Sequence, residues 1–182
     1  MFWYIDPAHS QVTFKVKHMM VSTVRGRLGK VSGRLDLDPE KPEKADFEIS
    51  VDIAGINTGD DRRDGHLRSG DFFDAETHRV ATFKSNAIFA KGEGRYTASG
   101  DLVIRGRALP VSFDIELLGI AADARGATKL GASATTTIDR TDWGLTWNMP
   151  VPNGVLVGDK VKIEVDLQAY DEASAKSLGL AA

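Results

Sequence analysis

Alternation of apolar and polar residues runs through most of this chain and constrains its fold more than any other feature. In the first such segment, residues 11–18, Val12, Phe14 and Val16 alternate with polar neighbours. A period of two residues places successive side chains on opposite faces of a β-strand. The same pattern recurs in seven further segments, at residues 30–37, 46–53, 80–89, 96–104, 109–117, 128–138 and 161–169. One apolar and one charged face on each strand predicts an antiparallel sheet with a single buried side.

The connections between these segments indicate one domain that spans residues 1–182. Most are short and contain the Gly, Pro or Asp residues of turns: 39–44, 91–94, 105–107 and 123–126. Two are longer, at residues 58–74 and 141–159, and no internal repeat or linker is present. Residues 171–182 are small and helix-permissive, and we expect them to fray at the surface.

Eight such strands form either a sandwich or a closed barrel, and closure removes the exposed edges of the sheet. We therefore expect an all-β, eight-stranded antiparallel barrel with a short helical lid between its third and fourth strands. Small residues occur at five inferred inward positions: Gly33, Ala98, Gly100, Ala132 and Ala134. These predict an internal void, because interiors otherwise pack densely. The alternative is that four bulky residues fill the space: Phe14, Phe47, Phe83 and Phe113.

The segment 58–74 is the only dense cluster of both charge signs in the chain. Thr58 is a suitable cap for a short helix whose first turn holds Asp60 and Asp61, where carboxylates favour the helix dipole. Three apolar residues would face inward from it: Leu67, Phe72 and Phe73. The segment is either a polar lid over a cavity or a solvated crossover loop.

Composition excludes several classes of function. The formal net charge is -3 with both signs interspersed. A nucleic-acid-binding protein typically has a basic patch instead. There is no cysteine, and no apolar run approaches the ~18 residues of a membrane helix. The first residues lack the pattern of a signal peptide, so we expect a cytoplasmic location, or a periplasmic one if a leader has been removed.

An enzyme is not expected from the motifs in the chain, and neither is a cofactor. No two histidines have the spacing of a helical zinc site, and no Gly-x-Ser-x-Gly turn or glycine-rich phosphate loop is present. Four residues could still supply a metal-dependent or acid–base hydrolase: His18, His66, Asp71 and Asp74. A second alternative is a structural or partner-docking domain, with an exposed patch formed by Trp143, Trp147 and Met149.

Seven segments, in order along the chain, resemble the YceI-like family: 6–10 (DPAHS), 12–19 (VTFKVKHM), 63–74 (RDGHLRSGDFFD), 81–85 (ATFKS), 102–106 (LVIRG), 110–111 (PV) and 140–144 (RTDWG). The resemblance runs from about residue 4 to about residue 170. It implies a lipocalin-like barrel that holds a polyisoprenoid or another long-chain lipid, for lipid transport, storage or isoprenoid-quinone metabolism. The implied partner is that lipid, not a nucleic acid, and a homodimer is left open.

Such a site predicts a set of ligand contacts. The wall would consist of Phe14, Val16, Phe83, Ala132 and Ala134. Flexible methionines would adapt at the rim, aromatics would lie at the loops, and cations would meet a head group. These further contacts are His18, Met19, Met20, Arg63, His66, Leu67, Arg68, Phe72, Phe73, Trp143 and Trp147. Arg63, His66 and Arg68 have an alternative role, which is to pair with the carboxylates of residues 58–74. His18 is alternatively a hydrogen-bonded core residue.

Overall fold

The computed structural model of the protein describes residues 1–181, most of them in β-strands. The strands are β1 (Phe2–Ile5), β2 (Gln11–His18), β3 (Ser22–Arg27), β4 (Val31–Asp36), β5 (Asp46–Asp52), β6 (Val80–Gly92), β7 (Arg95–Ile104), β8 (Arg107–Ala122), β9 (Thr128–Asp139), β10 (Pro150–Val151), β11 (Gly154–Val155) and β12 (Val157–Asp171). The helices are α1 (Asp61–Arg68), α2 (Glu172–Ser177) and two 3₁₀ turns, Pro42–Lys44 and Arg140–Trp143. No helix in the described chain has the length and apolar character needed to cross a membrane.

The sheet closes into a barrel of eight antiparallel strands. The ring runs β1-β4-β5-β6-β7-β8-β9-β12 and returns from β12 to β1. β12 also pairs with β2 along its first half, and β3 follows β2 at the same end of the barrel. Reciprocal backbone hydrogen bonds between Arg27 and Asn57, both 2.9 Å, join β3 to the segment after β5. The predicted fold class is confirmed.

Two strands of the main sheet, β1 and β3, were not predicted because neither shows a period of two. Each is one part of a bent barrel strand. β1 and β2 act as one strand that is interrupted at residues 6–10, and β3 and β4 as one that is interrupted at residues 28–30. The buried carboxylate of Asp6 fixes the first bend. It accepts hydrogen bonds from the Ala8 amide at 2.9 Å and from Gln168 Nε2 at 2.8 Å, and its Oδ2 lies 2.7 Å from His9 Nδ1.

Two of the five small residues that predicted a void, Gly33 and Gly100, are required for close backbone packing instead. A Cβ at Gly33 would collide with the Glu48 carbonyl oxygen, and one at Gly100 with the Lys84 carbonyl oxygen. These glycines allow neighbouring backbones to approach closely, so they leave no room for a ligand. Ala98 is fully buried within the packed core. Only Ala132 and Ala134 of this set border open space.

The two α-helices differ from the sequence-based expectation, α1 in its capping residue and α2 in its packing on the barrel. Asp60, not Thr58, caps α1: its side chain accepts from the Arg63 amide at 2.9 Å, and this bond lowers the pKa of Asp60 below its usual value. The C-terminal residues also do not simply fray, because α2 docks on the barrel with Ala175 fully buried. Ser174 Oγ accepts from the Thr128 amide at 3.0 Å and holds α2 against β9.

We expect Asp6 to make the stability of the fold depend on pH. Burial raises the pKa of Asp6, but hydrogen bonds from His9, Ala8 and Gln168 outweigh it, and the pKa falls below its ordinary value. A lowered pKa stabilises the folded state fully above the unfolded-state pKa, ~3.9, and this contribution is lost as pH falls through the folded-state pKa. The free energy of unfolding, measured with urea at pH 7 and at pH 3, should change less with pH in Asp6→Asn than in wild type. Equal pH dependence of the two would contradict this role.

Candidate ligand-binding cavity

The barrel encloses an apolar cavity of about 240 Å³. An engineered apolar cavity of ~150 Å³ stays dry and binds benzene, so the space here suits a larger apolar group. β2, β4–β9 and β12 all contribute inward side chains. Four polar residues are among those that border it: Thr82, Tyr96, Ser133 and Arg140. Of the described residues that border the cavity, Arg140 alone carries a charge, so the cavity excludes ions and favours hydrocarbon.

Part of the inner wall is not covered by other side chains. Ala132 and Ala134 of β9 border the cavity and remain partly exposed to it, and so do Phe14 and Val16 of β2. Phe83 is buried and packs edge-on against Phe113, with ring centroids 4.9 Å apart. The bulky residues therefore do not fill the interior, and open space remains next to Ala132 and Ala134.

Residues 58–74, hereafter the lid, cover one end of the cavity. The apolar residues of the lid border the cavity, as the sequence predicted: Leu67, Phe72 and Phe73. Arg105, in the turn between β7 and β8, donates a hydrogen bond of 2.8 Å to the Phe72 carbonyl. Inside the lid, the buried Asp64 carboxylate accepts from the Thr58 amide at 2.9 Å and from its hydroxyl at 2.5 Å. The lid is thus fixed both to the barrel and internally.

Three rings meet where the lid contacts the opposite loop. The Trp147 ring lies 4.6 Å from the His66 ring and 5.5 Å from the Phe72 ring, and His66 lies 5.1 Å from Phe72. His66 Nε2 is 2.8 Å from the Asp71 carboxylate, which orients the imidazole. Residues 144–156, hereafter the mouth loop, therefore close against the lid through aromatic contacts.

Arg140 holds the mouth loop in place. Its guanidinium donates to backbone carbonyls at both ends of that loop: Leu145, Trp147, Val157 and Gly158. One guanidinium nitrogen of Arg140 lies 3.5 Å from the Asp159 carboxylate, and the Arg140 side chain is only 5% exposed. Burial lowers the pKa of Arg140 from its ordinary value, but an arginine stays protonated in proteins. Because its donors are occupied by the chain itself, this cation is a clamp for the loop.

The two arginines predicted to contact a head group, Arg63 and Arg68, donate hydrogen bonds to oxygen atoms of this chain. Arg63 donates to Thr58 Oγ1 at 2.7 Å and to its carbonyl at 2.8 Å, and Arg68 donates to the Ile56 carbonyl at 3.3 Å. Within the described residues, neither forms a salt bridge with a lid carboxylate, whereas His66 pairs with Asp71. Their expected contact with a head group stays a prediction.

Several other predicted contacts lie away from the cavity. Met19 and Met20 are exposed at the tip of the β2–β3 hairpin, beyond the cavity rim, and His18 is half-buried at the end of β2 rather than in the core. Trp147 covers the lid without bordering the cavity. Trp143 does border it, and it is buried with its indole N–H donating to the Leu102 carbonyl at 3.1 Å. The predicted exposed patch of Trp143, Trp147 and Met149 is therefore wrong, because only Met149 is exposed.

Sequence reasoning missed two groups of residues in the site. One is the pair of arginines, Arg105 and Arg140, whose acceptors are backbone carbonyls and so leave no sequence signal. The other is a further part of the cavity wall, formed by Leu35, Leu37, Ile49, Tyr96, Ile115, Leu117, Leu130 and Leu167. The alternation of β4, β5, β7, β8 and β12 could have identified most of these. In the described part of the chain, no three His, Asp or Glu side chains are arranged to hold a metal ion.

We expect Arg140→Lys to loosen the mouth loop. A lysine keeps the charge but cannot reach four carbonyls from one planar group, and each buried acceptor left without a donor costs about 1–3 kcal/mol. Hydrogen exchange of amides 144–158 should accelerate, and the free energy of unfolding should fall by a similar amount. Arg79→Lys, at an arginine whose side chain is 70% exposed, is the control and should change neither. Unchanged exchange in Arg140→Lys would contradict the clamp.

Comparison with known proteins places the chain in a family. The model of the YceI-like domain matches residues 3–169. A UPF0312 protein of Vibrio cholerae is 33% identical over 138 residues, which are 76% of this chain and 73% of the relative. BcnA of Burkholderia cenocepacia has a crystal structure that superimposes with a TM-score of 0.80 at 26% identity and covers 90% of this chain and 98% of that one.

A third similarity is more distant in sequence. A polyisoprenoid-binding domain from Saccharophagus degradans superimposes with a TM-score of 0.65 at 17% identity, over 92% of this chain and 97% of that one. At this identity the likeness concerns the fold. The family model covers nearly the whole barrel, and together with the Vibrio relative it fixes the assignment. The chain belongs to the YceI-like domain family.

Proposed function

We propose that this protein binds a long-chain isoprenoid or a related amphipathic lipid inside its barrel, and that it acts as a carrier without catalysis. The observation that carries the proposal is the apolar cavity of about 240 Å³, closed at one end by the lid. The polyisoprenoid-binding domain of Saccharophagus degradans, which has the same fold, supports this class of ligand. Transport, storage and isoprenoid-quinone metabolism are the roles we propose for it. The cytoplasmic location and the homodimer stay predictions.

The energetics favour long chains over short ones. Each buried methylene contributes ~0.8 kcal/mol, so ten buried carbons contribute about 8 kcal/mol. Association costs an estimated 4–15 kcal/mol in lost freedom, which a short chain does not offset. Affinity should therefore rise with each isoprene unit until the cavity is full.

The cavity wall also determines where a polar head group lies. Arg140 is the single charge among the described lining residues, and its hydrogen bonds go to the mouth loop. A charged head group inside the barrel would be desolvated without a partner. We therefore propose that the hydrocarbon occupies the interior and that the head group stays at the lid end, where Arg63, His66 and Arg68 are the cations to test.

Enlarging the wall should displace the chain. Ala134→Phe should weaken binding of a C15 isoprenoid alcohol at least tenfold, because the ring occupies the space of the ligand. Overpacking normally costs about 1–3 kcal/mol, but the open space next to Ala134 should accommodate the ring at the low end of this range. Thr135→Phe, at an exposed position on the opposite face of the same strand, is the matched control. Titration of both variants and urea unfolding provide the readout.

Equal affinity of Ala134→Phe, Thr135→Phe and wild type for the alcohol would contradict a ligand site inside the barrel. A large loss of stability confined to Ala134→Phe would show that the space beside β9 is too small for a ligand.

Removing Arg63 and Arg68 together should weaken a phosphorylated isoprenoid much more than a neutral one of equal length, because burial of the hydrocarbon is unchanged while charge-assisted hydrogen bonds to the phosphate are lost. Titration of the two lipids at low and high salt is the measurement, and high salt should reproduce part of the loss in wild type. Equal weakening of both lipids would mean that the two guanidiniums only hold the lid together, through Thr58 and Ile56.

A further inference from the structure

Exposed apolar side chains cluster beyond the lid end of the barrel, on two hairpins that contact each other. We name this cluster the apolar tip, and its members are Met19, Met20, Val21, Met149 and Val155. Val21 is 81% exposed, Met20 58% and Met149 51%. The first three residues form the turn between β2 and β3, and the other two belong to the hairpin of β10 and β11 in the mouth loop.

Backbone hydrogen bonds join the two hairpins into one surface. The Met19 amide donates to the Leu156 carbonyl at 2.8 Å, and the Leu156 amide donates to the Met149 carbonyl at 2.9 Å. The Met20 side chain lies next to Gly154. The five apolar side chains therefore project from a single, hydrogen-bonded platform.

The backbone conformation of the β2–β3 turn does not favour methionine at positions 19 and 20. Met19 has φ 52° and Met20 has φ 60°, and the Val21 amide closes the turn on the His18 carbonyl at 3.2 Å. Positive φ favours Gly, Asn and Asp, and two such residues in a hairpin turn favour Asn-Gly. Large apolar residues at these positions are both conformationally disfavoured and unburied, so their side chains suit contact with something outside the molecule.

Cations lie on the outer face of the three adjacent strands β3, β2 and β12, next to the apolar tip. We name them the cationic collar: Lys15, Lys17, Arg25, Arg27, Lys160 and Lys162. Residues 11–27 contain four of these cations and no acidic residue, in a chain whose net charge is -3. Arg25, Lys15 and Lys162 lie side by side across β3, β2 and β12. Glu164 pairs with Lys15 and Lys162, and Asp139 pairs with Lys160, whereas Lys17 and Arg25 are exposed and form no salt bridge with the described residues.

We propose that the apolar tip and the cationic collar dock this protein on an anionic lipid membrane. Apolar side chains of a docking element enter the interface of a bilayer, while Lys and Arg remain at the level of anionic head groups. Along β2 and β3 the apolar tip comes at the turn and the cations follow it, which is the order of these two layers. Methionine is also suited to a fluid surface, because its flexible side chain adapts to irregular contacts.

Docking in this orientation would act directly on the entrance of the cavity. The mouth loop carries Met149 and Val155 of the apolar tip, and the same loop contributes Trp147 to the contact with the lid. A bilayer that binds the tip would face the one loop whose position Arg140 fixes. The purpose of docking rests on the proposed function, since a lipid cargo must pass between a membrane and the cavity, but docking itself needs no cargo.

Vesicle binding tests the proposal. The purified protein is mixed with vesicles of phosphatidylcholine alone, or of phosphatidylcholine with phosphatidylglycerol, and the bound fraction is measured by flotation. Wild type should bind the anionic vesicles and release from them at high salt. Met19→Asn with Met20→Gly should bind at least fivefold more weakly while keeping its thermal stability, because Asn-Gly suits the turn. Lys17→Gln with Arg25→Gln should lose roughly tenfold or more.

Two matched controls separate docking from general surface effects. Leu118→Ser removes an apolar side chain that is 64% exposed at the far end of β8. Lys91→Gln with Arg95→Gln makes the same change in net charge away from the collar. Both controls should bind anionic vesicles like wild type.

Three results would overturn the proposal: wild type does not bind anionic vesicles, the controls lose as much binding as the tip and collar variants, or Met19→Asn with Met20→Gly binds like wild type. Sedimentation velocity adds a fourth. A wild-type dimer that this variant abolishes would assign the tip to a second copy of the chain. None of these results bears on lipid binding inside the barrel, which titration of Ala134→Phe measures separately.

Discussion

Pairing of β12 with strands on both sides is the constraint on which the rest of the structure depends. β12 joins β9 on one side, and β2 and then β1 on the other, so that the sheet has no open edge around the ring. A closed ring of eight strands has an interior of fixed width, which side chains fill only if they are large enough. Here Ala132 and Ala134 on β9 leave space beside them. The cavity follows from closure combined with two small side chains.

Closure alone leaves the ends of the barrel to other elements, and at the lid end hydrogen bonds to backbone carbonyls fix them. Arg105 holds the lid through Phe72, and Arg140 holds the mouth loop. Between them, Trp147 contacts His66 and Phe72 through ring packing, and the Arg140 guanidinium carbon lies 5.9 Å from the centre of the Phe72 ring. Aromatic pairs of this kind contribute about 0.5–1.5 kcal/mol beyond burial, so the contact between the lid and the mouth loop adds only a modest stabilisation. The mouth loop also carries two residues of the apolar tip, Met149 and Val155.

The sequence predicted the barrel and the apolar underside of the lid, because period-two alternation and inward aromatics are properties of the residues themselves. It missed β1 because Phe2–Ile5 has no polar residue to alternate with, and it missed β3 because Val24 is the one apolar residue among its six. It assigned the cap of α1 to Thr58 because Thr and Asp both suit that position. The glycines at 33 and 100 were misinterpreted, because a missing side chain can serve either a cavity or a close backbone approach. The role of Arg140 depends on carbonyls, which every residue carries.

Native mass spectrometry of the protein purified without detergent tests the central claim, that the barrel holds a long-chain lipid, most directly. We expect a population with one bound adduct per chain that dissociates on collisional activation and whose mass matches an isoprenoid or related lipid. The apo protein should regain one adduct when a C15 or longer isoprenoid alcohol is added. Only the apo mass, both after purification and in the presence of excess lipid, would contradict the account.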